Sequence, residues 1–338
     1  MTGDARVAVV GTASVVLSTA QGRSNAELLA PLVDEALAGA GLQRADVGVV
    51  CSAGSELASG VIGTMMETFD VLPVWPPRTH SHLEGDGAWA FAEAWVRLLA
   101  GQGSVAVVAA FSNAEAVERD RVLALQLDPY VVAPLAPRAS HVAALQARAA
   151  LSTGRWTEDD IAALTCAGRP GTTVAHVLAS PYVASPLRAL DCSTPAAGAA
   201  VVVLATGDAV RTDRPSWVAG LDTRVESGAI GARYLARSVS VAASAERLQL
   251  RGAAVDVLEV HAPYSVQQLL VQDALALEAA AVNPSGGVLS ADPFMVSGLL
   301  RICAAARAVS AGGARRAVAH ATSGPCLQQN LLCVLESA

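Results

Sequence analysis

Apolar positions along the chain follow two rhythms. Short unbroken runs, such as Val105-Ala106-Val107-Val108-Ala109-Ala110-Phe111 and the stretch from Ala199 to Ala205, read as strands buried on both faces. Arg6-Val7-Ala8-Val9-Val10-Gly11 reads as a first strand of the same kind. Between such runs lie Ala-rich segments of helical character, for example the one that Gly87 opens and that ends near Gly101. Helices alternating with mostly parallel strands are the pattern of layered α/β folds.

Sliding the chain against itself exposes a repeat. Gly87, Gly101 and Ser112 recur 211 positions later as Gly298, Gly312 and Ser323. The repeat predicts a helix from Leu299 to Ser310 and a strand Ala317-Val318-Ala319-His320-Ala321. One element earlier, Asp46 to Cys51 matches Asp256 to His261 at an offset of 210. Four landmarks in nearly constant register imply two halves built alike and packed face to face. The expected organisation is an N-terminal half over 1–127, an inserted region over 128–188, a strand closing the first half over 189–212, and a C-terminal half over 213–338. The insert is rich in Pro and Ala with short helical stretches, and Thr157 before Glu158-Asp159-Asp160-Ile161 reads as a helix N-cap.

Composition then removes whole classes of chemistry. The chain has 338 residues, 53% of them hydrophobic, enough for two cores or one large composite core. A net charge of −7 and a pI near 5.4 exclude the cationic surface on which nucleic-acid binding depends. All 23 residues counted as Lys+Arg are Arg. Without lysine there is no Schiff base with a carbonyl substrate, no lysine-anchored pyridoxal phosphate and no Walker-type phosphate lysine. Six cysteines, Cys51, Cys166, Cys192, Cys303, Cys326 and Cys333, form no C-x-x-C pair and read as small buried hydrophobes in a reducing cytosol. Clustered Cys/His spacing for a metal is missing, so no metal is expected. The opening Met1-Thr2-Gly3-Asp4 is not a charged leader, and no apolar run reaches the roughly 20 residues that span a bilayer. A cytoplasmic protein without membrane or nucleic-acid partners is expected.

Two motifs carry a resemblance. Glu259-Val260-His261-Ala262-Pro263-Tyr264-Ser265, followed by Val282-Asn283-Pro284-Ser285-Gly286-Gly287-Val288-Leu289-Ser290, resembles the C-terminal half of sterol-carrier-protein-type thiolases, where E-V-H-D-C-F and V-N-P-S-G-G stand. Leu327-Gln328-Gln329-Asn330 is similar to that family's L-Q-x-N before its last strand. The resemblance implies the thiolase fold: two similar halves forming a five-layer αβαβα sandwich with an inserted loop domain. It also implies a dimer, homo- or heteromeric, with another thiolase-fold chain.

In the family a nucleophilic cysteine opens the long central helix of the first half, where the helix dipole favours a thiolate. Ungapped counting back from the strand Val105 to Phe111 puts Glu84 in that place, within Leu83-Glu84-Gly85-Asp86-Gly87, and no cysteine lies between Cys51 and Cys166. The family's G-H-P histidine is also replaced, since Ser290-Ala291-Asp292-Pro293 sets Asp292 there. His261 is retained, beside Ala262 in place of the family's Asp or Asn.

The candidate catalytic residues are therefore His261, Glu84, Asp292 and Tyr264. For His261 a general base, a donor to an enolate oxygen and a hydrogen-bonded core residue all remain open. Glu84 reads as a carboxylate base or a helix-end acid, Asp292 as an acid/base group or a turn residue, and Tyr264 as a phenolic donor or a packed ring. Asp86 reads as an N-cap or as a catalytic carboxylate. Asn283, Ser285, Gly286 and Gly287 read as a tight loop for close approach of a ligand, or as a plain strand connection. Arg233 and Arg237, four apart on a presumed helix, read as coenzyme A phosphate contacts or a solvated face.

The resemblance extends to actinobacterial lipid-transfer-protein-type aldolases, thiolase-fold proteins without the cysteine that work with an OB-fold and zinc-ribbon partner. It implies retro-aldol cleavage of a β-hydroxyacyl-CoA with a steroid or other bulky side chain. Coenzyme A would then be part of the substrate, and no cofactor would be bound covalently. The alternative is a catalytically silent thiolase-fold subunit of a heteromeric aldolase or thiolase complex.

Overall fold

The computed structural model describes residues 6–60, 62–76, 78–113 and 116–338. Met1 to Asp4, where a leader was sought, lie outside them. The first half runs β1 (Val7–Leu17), α1 (Asn25–Gly39), β2 (Val49–Gly54), α2 (Glu56–Ser59), α3 (Thr64–Glu67), β3 (Thr79–Glu84), α4 (Gly87–Leu99) and β4 (Val105–Ser112). Four helices follow: α5 (Ala116–Leu125), α6 (Ala139–Ser152), α7 (Glu158–Gly168) and α8 (Val174–Ala179). A small hairpin of β5 (Tyr182–Ala184) and β6 (Leu187–Arg188) leads to β7 (Pro195–Thr206), which returns to the first sheet. The second half comprises β8 (Ser216–Val225), α9 (Val239–Arg247), β9 (Ala254–Val260), α10 (Ser265–Leu275), β10 (Glu278–Val282), β11 (Asp292–Pro293), α11 (Ser297–Ser310), β12 (Arg316–Ser323) and β13 (Gln329–Glu336).

The strands follow the order β10-β9-β12-β13-β8-β1-β7-β4-β2-β3. Each half supplies five strands of this order, joined through Ala8↔Trp217 and Val9↔Ser216, and β11 of the second half pairs off this path with β7 of the first. Between the sheets, Phe91 and Leu98 of α4 pack with Leu299, Ile302 and Cys303 of α11 against inward residues such as Val108 and Ala319. The outer face of the first sheet is covered by α1 through Leu28, Leu29 and Val33, and that of the second by α9 and α10 through Val241, Leu270 and Val271. The layers are therefore helix, sheet, paired helices, sheet, helix. Burying a side chain such as Phe91, which is 0% exposed, contributes about 1.5–3 kcal/mol.

The 211-residue repeat is written into the central layer. A Cβ on Gly87 would lie 2.5 Å from the Ala110 methyl, and one on Gly298 2.7 Å from the Ala321 methyl, so each central helix presses its first glycine onto its own sheet. The 210-residue offset of the preceding strand is corrected by the ladder. Val49 pairs with Ala106 and Val257 with Ala317, so Val257 takes the place of Val49 and the match slips by two residues. The strands are also less parallel than expected. In each half two neighbours are parallel (β3–β2–β4 and β10–β9–β12), whereas β7 and β13 run antiparallel to theirs. For β12–β13 the reason is the link 324–328, far too short for a parallel crossover. Thr157 caps α7 as read from sequence, in a reciprocal box with Asp160.

Candidate active site

The N-termini of α4 and α11, one from each half, meet at the carboxylate of Asp86. As N-cap of α4 it accepts from Ala88 N at 2.8 Å, and its second oxygen accepts from Gly298 N of α11 at 2.9 Å. Such ends carry unpaired N–H groups that favour an anion. Burial nevertheless dominates: with the side chain enclosed and the charge of Asp292 nearby, the carboxyl is pushed up to about 6 despite its backbone donors. The N-cap reading holds, and the same residue also lines a cleft.

That cleft comprises about 710 Å³ of non-protein space, counted out into the solvent at its mouth. His261, Tyr264, Gln267 and Thr322 line one side; Leu123, Leu127, Val142, Phe294 and Met295 supply an apolar wall. His261 follows the last residue of β9, at the carboxyl edge of a parallel pair, where open α/β sheets bind ligands. It is 6% exposed. Its Nδ1 accepts from the backbone N–H of Thr322 at 3.4 Å. A backbone amide can only donate, so in the neutral ring the proton resides on Nε2. That Nε2 stands 3.9 Å from Asp292 Oδ1. Asp292 is held by Ser193 Oγ at 2.7 Å and Ser297 Oγ at 2.6 Å, and its backbone joins β7 through Thr194 O. One carboxylate thus ties the loop before α11 to the first half and faces the imidazole.

Of the four catalytic candidates, the structure brings together His261, Asp292 and Tyr264. Glu84 does not join them. It ends β3 and accepts from Glu56 N at 2.9 Å, and it lines an adjoining cleft that shares Asp86, Met295 and Ser323 with the first. The ligand-loop residues also lie elsewhere. Asn283 Oδ1 accepts from Val260 N at 2.6 Å and its Nδ2 donates to Gln268; Ser285 Oγ donates to Glu259 at 2.7 Å, where Arg301 completes a buried ion pair at 2.9 Å. Gly287, at φ 64, folds back over Asn283. None of Asn283, Ser285, Gly286 and Gly287 lines the His261 cleft; the loop instead braces the end of β9 that presents His261.

Arg233 and Arg237 share no helix, since Arg233 already caps a short 3-10 turn over Ile230–Ala232 in extended conformation. Arg233 turns inward, pairs with Glu226 at 3.6 Å and donates to the carbonyls of Pro325 and Cys326. Cys326 reaches the cleft, but its thiol donates to Val142 O and burial pushes it up to about 12, so it is no thiolate at neutral pH. Cys51 and Cys303 are pushed up to about 11 by the same cause. Asp86, Gln267 and Thr322 are polar cleft residues that do not figure among the four catalytic candidates read from the sequence.

This architecture, with two like halves and a cleft at the shared helix ends, is the thiolase fold. Among solved structures the chain is similar to an Ltp2-ChsH2(DUF35) aldolase (TM-score 0.79, 16% identity, 98% of each chain). It is likewise similar to human mitochondrial 3-ketoacyl-CoA thiolase, solved in complex with CoA (TM-score 0.77, 16% identity, 99% of this chain and 98% of that one). No protein-family model matches the chain, and no curated protein matches it. Among the described residues, no helix is long and apolar enough to cross a membrane.

Proposed function

We propose that the chain cleaves a β-hydroxyacyl-CoA thioester by a retro-aldol reaction without a covalent intermediate. The observation that carries this reading is a carboxylate tuned to about 6, Asp86, on the same cleft as an imidazole that presents Nε2–H, with no thiolate beside them. Asp86 takes the β-hydroxyl proton, because a base is most effective when its pKa lies near the working pH. The Cα–Cβ bond breaks, its electron pair forms the thioester enolate, and the β-carbon leaves as an aldehyde or ketone. His261 Nε2–H donates to the enolate oxygen, and Asp292, anchored by Ser193 and Ser297, holds the loop that flanks the ring. The enolate carbon then takes a proton from Asp86, which gives the shortened acyl-CoA and restores the carboxylate. Tyr264 is a second donor on the same wall, and the apolar wall suits a bulky acyl group such as a steroid side chain. Coenzyme A enters as part of the substrate.

The aldolase among the similar structures supports the reaction class, and its two-component name supports a heteromeric assembly. We extend this to a dimer with a thiolase-fold chain and an OB-fold/zinc-ribbon partner. The six free cysteines suit the reducing cytosol.

The test is incubation of the purified chain, alone and with thiolase-fold and OB-fold partners, with a β-hydroxyacyl-CoA, followed by mass spectrometry of the products. Carbonyl product and shortened acyl-CoA are expected, with losses of about 10²–10⁴-fold in Asp86→Asn and His261→Ala. An acyl adduct on Cys326 would overturn the non-covalent reading. Full activity of a complex carrying both substitutions would make this chain the silent subunit.

A further inference from the structure

Gln146 of α6 and Gln267 of α10 are buried, 1% and 4% exposed, and Gln267 lines the cleft with apolar Leu127, Val142 and Pro263. Buried amides are costly unless each end is paired. Here the pairing runs in one direction. The carbonyl of Cys326, already accepting from the Arg233 guanidinium at 3.2 Å, also accepts from Gln146 Nε2 at 3.5 Å. A carbonyl oxygen only accepts, so Gln146 turns its nitrogen to Cys326 and its oxygen to Gln267, whose Nε2 donates at 3.1 Å. Gln267 Oε1 is left at the cleft end of the chain. It accepts no hydrogen bond among the described residues, in a side chain that lines the cleft.

We infer that Gln267 determines specificity, its Oε1 accepting a hydrogen bond from a hydroxyl on the otherwise apolar ligand body. The Cys326 carbonyl sets the polarity of this acceptor from two residues away, so the cleft prefers an alcohol to the matching ether. The inference rests on the proposed use of this cleft as the substrate site and is independent of the aldol step. An apolar pocket alone discriminates weakly against a lost hydroxyl. A pocket with a built acceptor discriminates strongly, because the unmet acceptor keeps its desolvation cost.

Isothermal titration of the full chain with 2-naphthol and with 2-methoxynaphthalene tests it without any thioester. The wild-type chain is expected to bind the naphthol about 10- to 100-fold more tightly. Gln267→Leu and Gln267→Met should reduce that ratio to about one with the ether's affinity unchanged. Gln146→Leu, which frees the amide to rotate, should lower it in part. Equal wild-type affinities, or no binding of either compound, overturn the inference even if no variant folds. A preference that survives Gln267→Met but disappears in Asp86→Asn also overturns it, assigning the hydroxyl to Asp86. Absence of aldol cleavage alongside an intact naphthol preference would instead remove the proposed reaction and leave Gln267 in its role.

Discussion

Asp86→Asn separates charge from capping in one substitution. In the unfolded chain the carboxyl ionises near its ordinary 3.8, while in the folded protein it keeps its proton up to about 6. Between these values the native state holds the extra proton, so this group makes stability fall as pH rises through the window. Above it, the buried carboxylate costs roughly two pKa units, or about 3 kcal/mol. Asparagine removes that cost. It also has a single acceptor oxygen for two donors, Ala88 N and Gly298 N, so one of them faces an amide N–H, at about 1–3 kcal/mol. The two effects nearly cancel at pH 8. At pH 4.5, where wild-type Asp86 is already protonated, only the lost acceptor remains and the variant is the less stable. Urea denaturation of both proteins from pH 4 to 8 should give a stability difference that changes by up to about 1.4 kcal/mol per pH unit between 4 and 6 and is flat above 7. Curves that stay parallel across the window would refute the account of a buried carboxylate shifted by burial. A kcat/KM profile with its acid limb near 6 is the matching kinetic expectation.

His320 should show the opposite slope. It is fully buried, donates from Nε2 to Asn330 Oδ1 at 2.9 Å, and burial pushes it down to about 4. The unfolded chain takes the proton first, so stability falls as pH drops from 6.5 through about 4. His320→Leu should flatten that acid limb in the same titration, and an unchanged limb would rule it out. Arg301→Met strands Glu259 in the core and should cost about 3–5 kcal/mol in urea denaturation; less than about 1 would mean that the pair is solvated. Gly298→Ala drives a methyl into Asp86 and Ala321, and a melting point about 4 °C lower is expected, corresponding to about 3 kcal/mol. A shift within 1 °C would show that the two helix ends have room to part.

What sequence reveals here depends on whether a residue's partner is set by local spacing. The 211-residue repeat was legible because Gly87 and Gly298 each press on a strand that follows at a fixed distance, so the spacing itself is under steric control. The strand one element earlier is tied to that frame only through a ladder, and apolar runs align equally well at neighbouring offsets. The two-residue slip of Val257 onto the place of Val49 is therefore invisible without the pairing. The site divides along the same line. His261 and Tyr264 lie three residues apart at one strand end, and Asp86 shows itself as a cap by its place before a helix. That Asp86 also accepts from Gly298, and that Glu84 turns away to Glu56, are facts of the other half and of a neighbouring turn. A signal for Gln267 was nevertheless present. In Ser265-Val266-Gln267-Gln268-Leu269-Leu270-Val271, two glutamines interrupt a helix that is buried throughout this stretch. A primary amide in such a place must find partners or present an end to a cavity. Gln268 meets Asn283, and Gln267 meets Gln146 on one side only. Polar residues that a buried helix does not need for its own hydrogen bonds thus mark the places where the chain either braces itself or meets a ligand.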